Sequence, residues 1–374
     1  MVVEAECDLL RRHGHYVELY ERDNHDIDGM TRAQLAAQTI WSARTSRELG
    51  RVLADFRPHI VHAHNTFPLI SPSLYWVAER AGIPLVQTLH NFRLICPQAM
   101  LLREGKICED CVGKFAWRAI AHRCYRDSAS ASATIALMLG LHHGLPSFSE
   151  KVTRYIATND FFARKFTKGG LPAERIVVKP HFVDVPAPEP SLRSGGLFVG
   201  RLSPEKGLGI LLGALQRVPN VEFDVIGDGP ERALLPAAVN ALGWQPREAV
   251  YARMRRAAYL VIPSIWYEIG PLTLIEAFAC GLPVIASRLG ALPELIDEGK
   301  TGLLFEPGSQ NDLAQKIAWA ESHPGEMVKM GVNARGVYEV RYTPEKNYQR
   351  LLEIYREAIA AVKSKTELSV ASAH

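Results

Sequence analysis

Residues 262–287 read IPSIWYEIGPLTLIEAFACGLPVIAS and hold a complete strand–loop–helix–strand passage. Ile262-Pro263 closes a short apolar run that begins at Ala258, of strand length and rich in Tyr, Leu, Val and Ile. Trp266, Tyr267 and Glu268 fall in the loop. The spacing predicts a helix from Pro271, whose fixed φ suits a first helical position, to Cys280-Gly281, with the glycine as C-terminal cap. Pro283-Val284-Ile285-Ala286 is then the next strand. Two apolar strands joined by a helix belong to a parallel sheet covered on both faces.

The same alternation runs outward in both directions. Downstream of residue 195 the expected strands are Gly196–Gly200, Val221–Gly227, Ala258–Pro263, Pro283–Ala286 and Gly302–Phe305. Upstream they are Ile60–His64, Leu85–His90, Arg154–Thr158 and Ile176–Lys179, with helices around Leu74–Ala81 and 128–145. Val2, Val3, Ala5, Leu9 and Leu10 make a helical stripe, followed by a strand-like alternation at Tyr16–Tyr20. A helix at the start is unusual for a fold that normally opens with a buried strand and a Gly-rich turn. VDVPAPEPSLRSGG (183–196) is the expected linker. The fold class is α/β, with Rossmann-like domains over 1–185 and 186–343. A long amphipathic helix is expected over 344–363, and a frayed polar tail over 364–374.

Composition narrows the function classes. In 374 residues, Lys and Arg number 43 against 40 Asp and Glu, a net charge of +3, too balanced for a protein that coats nucleic acid. A hydrophobic share of 47% with 22% charged residues is that of a globular protein. No apolar run reaches membrane-spanning length and no secretory leader is expected, so a cytoplasmic setting follows. The six cysteines are too few for a disulfide scaffold at this size.

Three segments carry chemistry. In 262–287 the first-turn amides at Leu272 and Thr273 can hold a phosphate. Glu268 and Glu276 are poor phosphate ligands themselves but can accept hydrogen bonds from sugar hydroxyls on either side of one. That suits a nucleotide sugar, with the diphosphate between ribose and hexose. The alternative is an exposed loop residue and a solvated helix face. In LFVGRLSPEKGLGILLGAL (197–215) the strand ends at Gly200, and Arg201 and Lys206 supply two cations for a diphosphate leaving group. DVIGDGPERALL (224–235) is a Gly-rich turn between strand and helix, with Gly227 and Gly229, but no dinucleotide fingerprint. The backbone at Gly200, Gly227, Gly229 and Gly270, the Leu272 and Thr273 amides and Glu276 form the expected donor-binding set.

These three segments resemble the retaining glycosyltransferases of family 4, and the resemblance covers nearly the whole chain. It implies a GT-B fold, two Rossmann-like domains facing across a cleft. It also implies an acceptor-binding N-terminal half, a nucleoside-diphosphate-sugar-binding C-terminal half, and a last helix that returns to the first domain. In that family the cations at the positions of Arg201 and Lys206 bind the donor diphosphate. Glu268 then lies by the donor sugar and Glu276 holds the ribose. His90, at the end of an expected strand in TLHNFRLICP (88–97), then touches the donor sugar; otherwise it makes a structural loop hydrogen bond. Asn91 and Arg93 could reach an acceptor, and His62 and His64 are weaker candidates. The leaving phosphate helps deprotonate the acceptor and no protein nucleophile is implied. The class generally needs no catalytic metal. Two departures stand out: Pro271 occupies a position where the family commonly has glycine, and the family's first strand and Gly-Gly loop do not precede the opening helix. The rival expectation is therefore a truncated, non-catalytic sugar-nucleotide-binding protein. An epimerase or phosphorylase is a second rival, and an NAD-dependent oxidoreductase the weakest.

Four cysteines outside these motifs, Cys96, Cys108, Cys111 and Cys124, read C-x11-C-x2-C-x12-C, with His122 nearby. They fit a tetrahedral structural zinc, or else unligated thiols in a long loop. Cys7 and Cys280 read as packing residues. Ile135, Leu137, Met138 and Leu141 form an apolar stripe near Arg118, Arg123 and Arg126. It is either core or a peripheral contact with the inner face of a membrane. The acceptors implied by the resemblance are glycans or lipid-linked sugars of exopolysaccharide or cell-envelope synthesis. Asn159 and Asp160, after the strand expected over 154–158, and Asp184, in the HFVD segment before the linker, are expected where the hinge and cleft lie, or else as turn-forming polar residues.

Overall fold

A computed structural model describes residues 2–188 and 192–371. The chain divides into two compact units, one of Met1–Leu101, Cys108–Lys179 and Tyr348–His374, the other of Leu102–Ile107 and Pro180–Asn347. The expected boundary at 185/186 therefore lies inside the second unit. Val183 and Val185, placed in the linker on the strength of their Pro-rich neighbours, are buried in the second unit's core. Residues 189–191 of that expected linker lie outside the described residues.

In the first unit β1 (Val61–Ala63) and β2 (Leu85–Thr88) pair in parallel. Between β2 and the next strand of this sheet the chain forms a small antiparallel hairpin, β3 (Leu102–Arg103) with β4 (Lys106–Ile107), which belongs to the second unit. The sheet then resumes with β5 (Arg154–Ala157) and β6 (Ile176–Val178), in the order β1-β2-β5-β6. Val86 and Ile156 from the sheet pack with Leu10 of the first helix, Val2–Arg12, and with Leu351, Ile354 and Ala358 of the last, Pro344–Ala371. That last helix runs past the expected 363 to Ala371, and residues 372–374 of the expected tail lie outside the described residues. Its small Ala and Ser residues are compatible with helix. Tyr16–Tyr20, expected as a strand, has no ladder partner among the described residues, and Tyr16 is 94% exposed. Alternation alone does not make a strand without a neighbour to pair with.

The second unit carries a six-stranded parallel sheet. It is built from β7 (Gly196–Val199), β8 (Phe223–Ile226), β9 (Asn240–Gly243), β10 (Tyr259–Ile262), β11 (Val284–Ser287) and β12 (Gly302–Phe305). The strand order is β12-β11-β10-β7-β8-β9. Successive residues alternate between two cores. Leu197, Leu260, Val284 and Leu304 enter one, and Phe198, Val261, Ile285 and Leu303 the other. That is the period-2 signature of a sheet covered on both faces, and it explains why these strands read as unbroken apolar runs. The helix expected after the Gly-rich turn is only one 3-10 turn, Arg232–Leu234, before β9. Among the described residues no helix is long and apolar enough to cross a membrane.

Candidate functional site

The strand order of the second unit reverses between β7 and β10. From β7 the chain builds outward to β8 and β9; from β10 it builds the other way to β11 and β12. The loops at the carboxyl ends of two strands that part in this way leave a crevice where open α/β sheets bind ligands. Those two loops carry Arg201 and Lys206 after β7, and Ser264, Trp266 and Glu268 after β10.

Close backbone approach fixes both loops. Gly200 N–H donates to Ile226 O at 3.0 Å, and Leu202 N–H to Asp228 O at 2.9 Å, locking the β7 loop to the β8 loop. Gly227 has φ +143°, and a Cβ there would stand 1.8 Å from Gly200 O, so only glycine fits. Gly229 follows, its N–H on Asp228 Oδ1 at 2.7 Å. Gly207 ends the 3-10 turn Pro204–Lys206 at φ +73°, and a Cβ there would lie 1.9 Å from Pro263 O. Lys206 is thereby pinned beside the end of β10, and Ile265 N–H donates to Glu205 O at 3.0 Å across the same seam.

Glu268 is buried, at 5% exposure, rather than an exposed loop residue. Its Oε1 accepts from Lys206 Nζ at 2.8 Å, Ser264 Oγ at 2.6 Å and Trp266 Nε1 at 3.1 Å. The Lys206 ammonium also stands 5.3 Å from the Trp266 ring centroid. Three donors and a paired cation make a buried carboxylate tenable. Arg201 is exposed in the same loop. Sequence reasoning missed Ser264, whose hydroxyl is legible as a partner only once the loop closes.

Pro271 is not the first helical residue. It is the N-cap of the helix Leu272–Ala279, with φ −67° and an extended ψ of 94° and no side-chain cap. The first-turn amides of Leu272 and Thr273 thus open the helix just after Gly270, and they have no acceptor within it. Glu276 has partners of its own. Tyr251 OH donates to its Oε1 at 3.3 Å. Burial pushes the Glu276 carboxyl up, while Arg247 and the Tyr251 hydroxyl pull it back. The structure therefore joins Lys206 to Glu268 directly, and holds Glu276 from Tyr251 and Arg247, two residues the sequence did not single out.

The first unit gathers a second polar group at the carboxyl end of its sheet. His90 Nε2 and His64 Nδ1 share a hydrogen bond of 2.8 Å, and His64 Nε2 is 3.4 Å from Glu6 Oε2. Glu6 Oε1 accepts from Lys179 Nζ, and both side chains are buried. His62 is held by Thr88 Oγ1 and Tyr355 OH, each at 2.8 Å. Burial drives His62 down to about 4 and His64 to about 2, and lowers His90, so all three rings are neutral at pH 7. Burial pushes Glu6 up, but Lys179, His62 and His64 outweigh it and bring the carboxyl to about 2. Glu6, His62 and His64 offer ligating atoms within 4.8 Å of one another, yet a cation there would have to share Glu6 with the Lys179 ammonium.

The remaining candidates separate cleanly. Asn159 is the N-cap of the helix Asp160–Lys168, its Oδ1 accepting from Phe162 N–H at 2.8 Å, which is the turn-forming role. Asp184 is exposed. Cys7 and Cys280 are buried packing residues. The apolar stripe of the helix Ala129–Gly144 is split: Ile135 and Met138 are core, while Leu137 and Leu141 are exposed.

The family described as glycosyl transferases group 1 matches residues 196–337, and the glycosyl transferase 4-like domain matches residues 2–181. The uncharacterized glycosyltransferase MJ1178 of Methanocaldococcus jannaschii is 32% identical over 170 residues, covering 43% of this chain and 48% of that protein. The putative colanic acid biosynthesis glycosyltransferase WcaL of Escherichia coli K12 is 28% identical over 205 residues, 48% of this chain and 50% of that one. The chain thus spans about half the length of these curated relatives. Anabaena Alr3699/HepE, solved in complex with UDP-glucose, superposes with a TM-score of 0.62 at 19% identity, over 96% of this chain and 89% of that one. With one family description on each half and the fold shared nearly end to end, the chain belongs to the group 1 glycosyltransferases of GT-B fold.

Proposed function

We propose that the protein is a retaining glycosyltransferase that moves a sugar from a nucleoside-diphosphate donor to a glycan or lipid-linked acceptor in exopolysaccharide or cell-envelope assembly. The observation that carries this reading is the buried Glu268 held under Lys206 at the reversal point of the second sheet. In the proposed reaction the bond from the anomeric carbon to the diphosphate oxygen breaks. The acceptor oxygen bonds to the same face, and its proton passes to the departing phosphate. Lys206 and Arg201 neutralise the charge that develops on the diphosphate, which is where electrostatic catalysis is strongest. Because these two cations supply that charge, no catalytic metal is assigned. The Leu272 and Thr273 amides and the backbone at Gly200, Gly227, Gly229 and Gly270 cradle the phosphates. Glu276 accepts from the ribose hydroxyls and Glu268 orients the donor sugar. His90, neutral and braced by His64, offers a hydrogen bond to a sugar hydroxyl.

The WcaL relative supports polysaccharide assembly as the setting, and the Anabaena neighbour makes a UDP-sugar the first donor to try. Exposed Phe115, Trp117, Leu137 and Leu141, with exposed Arg118, Arg123 and Arg126, support a peripheral contact with an anionic inner membrane face. The test is a panel of nucleoside-diphosphate sugars read by thermal shift and product analysis. One donor class should raise Tm, by about 2.7 kcal/mol of added stability at a hundredfold excess over Kd. Its product should keep the anomeric configuration by NMR. No shift with any donor would overturn the reading, and binding without transfer or hydrolysis would favour the non-catalytic alternative.

A further inference from the structure

Glu6, His64 and His90 stand in a row at the carboxyl end of the first unit's sheet. Glu6 projects from the first helix, and the buried Lys179 ammonium occupies its Oε1. Its other oxygen, Oε2, is buried and accepts no hydrogen bond. His64 Nε2 lies 3.4 Å from that oxygen. On the other side of the same ring, His64 Nδ1 lies 2.8 Å from His90 Nε2. One nitrogen of His64 therefore faces a carboxylate and the other faces a second imidazole.

Counting protons gives this row a direction. Paired with Lys179, the Glu6 carboxyl is ionised, so both its oxygens only accept. Burial keeps His64 and His90 neutral at pH 7, and a neutral imidazole has one N–H and one lone pair. With its proton on Nδ1, His64 would turn the Nε2 lone pair toward an anionic oxygen that already lacks a donor. With the proton on Nε2, the positive end of the N–H faces that oxygen, and the attraction is strong where water is excluded. His64 is thus the Nε2–H tautomer, and its Nδ1 can only accept. The 2.8 Å contact then requires His90 Nε2–H to donate to it. His90 Nδ1 keeps its lone pair, and whatever it meets, it accepts from.

Lys179 completes the device. Glu6 alone would draw a proton onto His64, and Lys179 opposes this, so the carboxylate orients the ring without charging it. His62 imposes no such order. Its two partners, Thr88 Oγ1 and Tyr355 OH, are hydroxyls that donate or accept as required.

We propose that Glu6 and His64 are positioning residues that fix the tautomer of His90, so that a substrate hydroxyl meets His90 as the donor, at Nδ1. This role rests on the reading of His90 as a substrate-binding residue. The tautomer itself belongs to the substrate-free chain.

Imidazole 15N NMR of the substrate-free chain at pH 7 should show His64 and His90 each protonated at Nε2 and bare at Nδ1. A through-hydrogen-bond 15N–15N coupling should join His90 Nε2 to His64 Nδ1. His64→Phe keeps a ring but removes the acceptor. It should abolish the coupling and lower kcat/KM for sugar transfer about tenfold, the worth of one hydrogen bond. His64→Asn, with an amide oxygen near the place of Nδ1, should recover most of that loss. In a His90→Ala chain, His64→Phe should cost nothing further, whereas a merely structural role would give additive losses. Should His64→Phe fail to fold, the coupling in the intact chain still decides. A proton on Nδ1 of either ring overturns the proposal. So do an imidazolium at pH 7, a metal ion held by Glu6, His62 and His64, or additive losses in the double variant. A chain that binds no donor would instead refute the glycosyl-transfer reading, with the two tautomers still read independently.

Discussion

Lys206→Ala is expected to reduce kcat for sugar transfer by about 10²- to 10³-fold, with a smaller rise in donor KM. The reason is where the charge goes. In the ground state the diphosphate is already anionic, but its leaving oxygen gains charge only as the glycosidic bond breaks, and donors aimed at that oxygen act mainly in the transition state. Losses of this size correspond to about 2.7–4 kcal/mol. The fold should survive the change. Lys206 is partly exposed, and Ser264 and Trp266 still donate to Glu268 after the ammonium is gone. Lys206→Arg keeps the charge but not the compact ammonium, and should recover only part of the rate. A variant with unchanged far-UV circular dichroism and nearly full transfer activity would remove Lys206 from the mechanism.

Lys179→Ala should destabilise the chain by about 3–5 kcal/mol in urea unfolding, the cost of leaving one charge of a buried pair uncompensated. Lys179 and Glu6 are both almost fully buried, and Glu6 Oε2 accepts no hydrogen bond. Lys179→Ala with Glu6→Gln should regain a large part of the loss, because no lone carboxylate is then buried. A single-variant loss below about 1 kcal/mol would mean that solvent reaches the pair. The same cluster sets the response to acid. His62, His64 and His90 have folded pKa values below the unfolded value near 6.5, so the unfolded state binds their protons first. Their contribution is complete above pH 6.5 and is lost as pH falls, each proton adding up to about 1.4 kcal/mol per pH unit to the slope. Glu6, also depressed, contributes above its unfolded value of 4.5 and loses that contribution as pH falls toward 2. Both act in one direction, so stability should begin to fall near pH 6.5 rather than near 4.5. In Lys179→Ala the Glu6 component should shift to higher pH.

The sheets were legible because their strands are buried on both faces and written as short apolar runs. Strand β9 was not, because Asn240–Gly243 contains no β-branched or aromatic residue and relies on pairing with β8. The reversal of strand order between β7 and β10 is invisible in sequence, since it depends on which strands pair. Motif spacing singled out Lys206, Glu268 and Glu276 as candidates, but only the folded loops show that Glu268 is buried under Lys206 while Glu276 answers to Tyr251. Glu6 was hidden inside an apolar helical stripe, and Lys179 looked like the end of a strand. Their meeting depends on a long-range fold that no local pattern encodes. Val183 and Val185 misled in the opposite sense, two core residues set among prolines.

The central claim is that the β7 and β10 loops and the helix Leu272–Ala279 enclose a diphosphate. A crystal structure of the chain with its best-binding nucleoside-diphosphate sugar tests this most directly. The account predicts phosphate oxygens within hydrogen-bond reach of Lys206 Nζ and the Leu272 and Thr273 amides, and ribose hydroxyls on Glu276. A nucleotide bound elsewhere, with Lys206 still closed on Glu268, would contradict it.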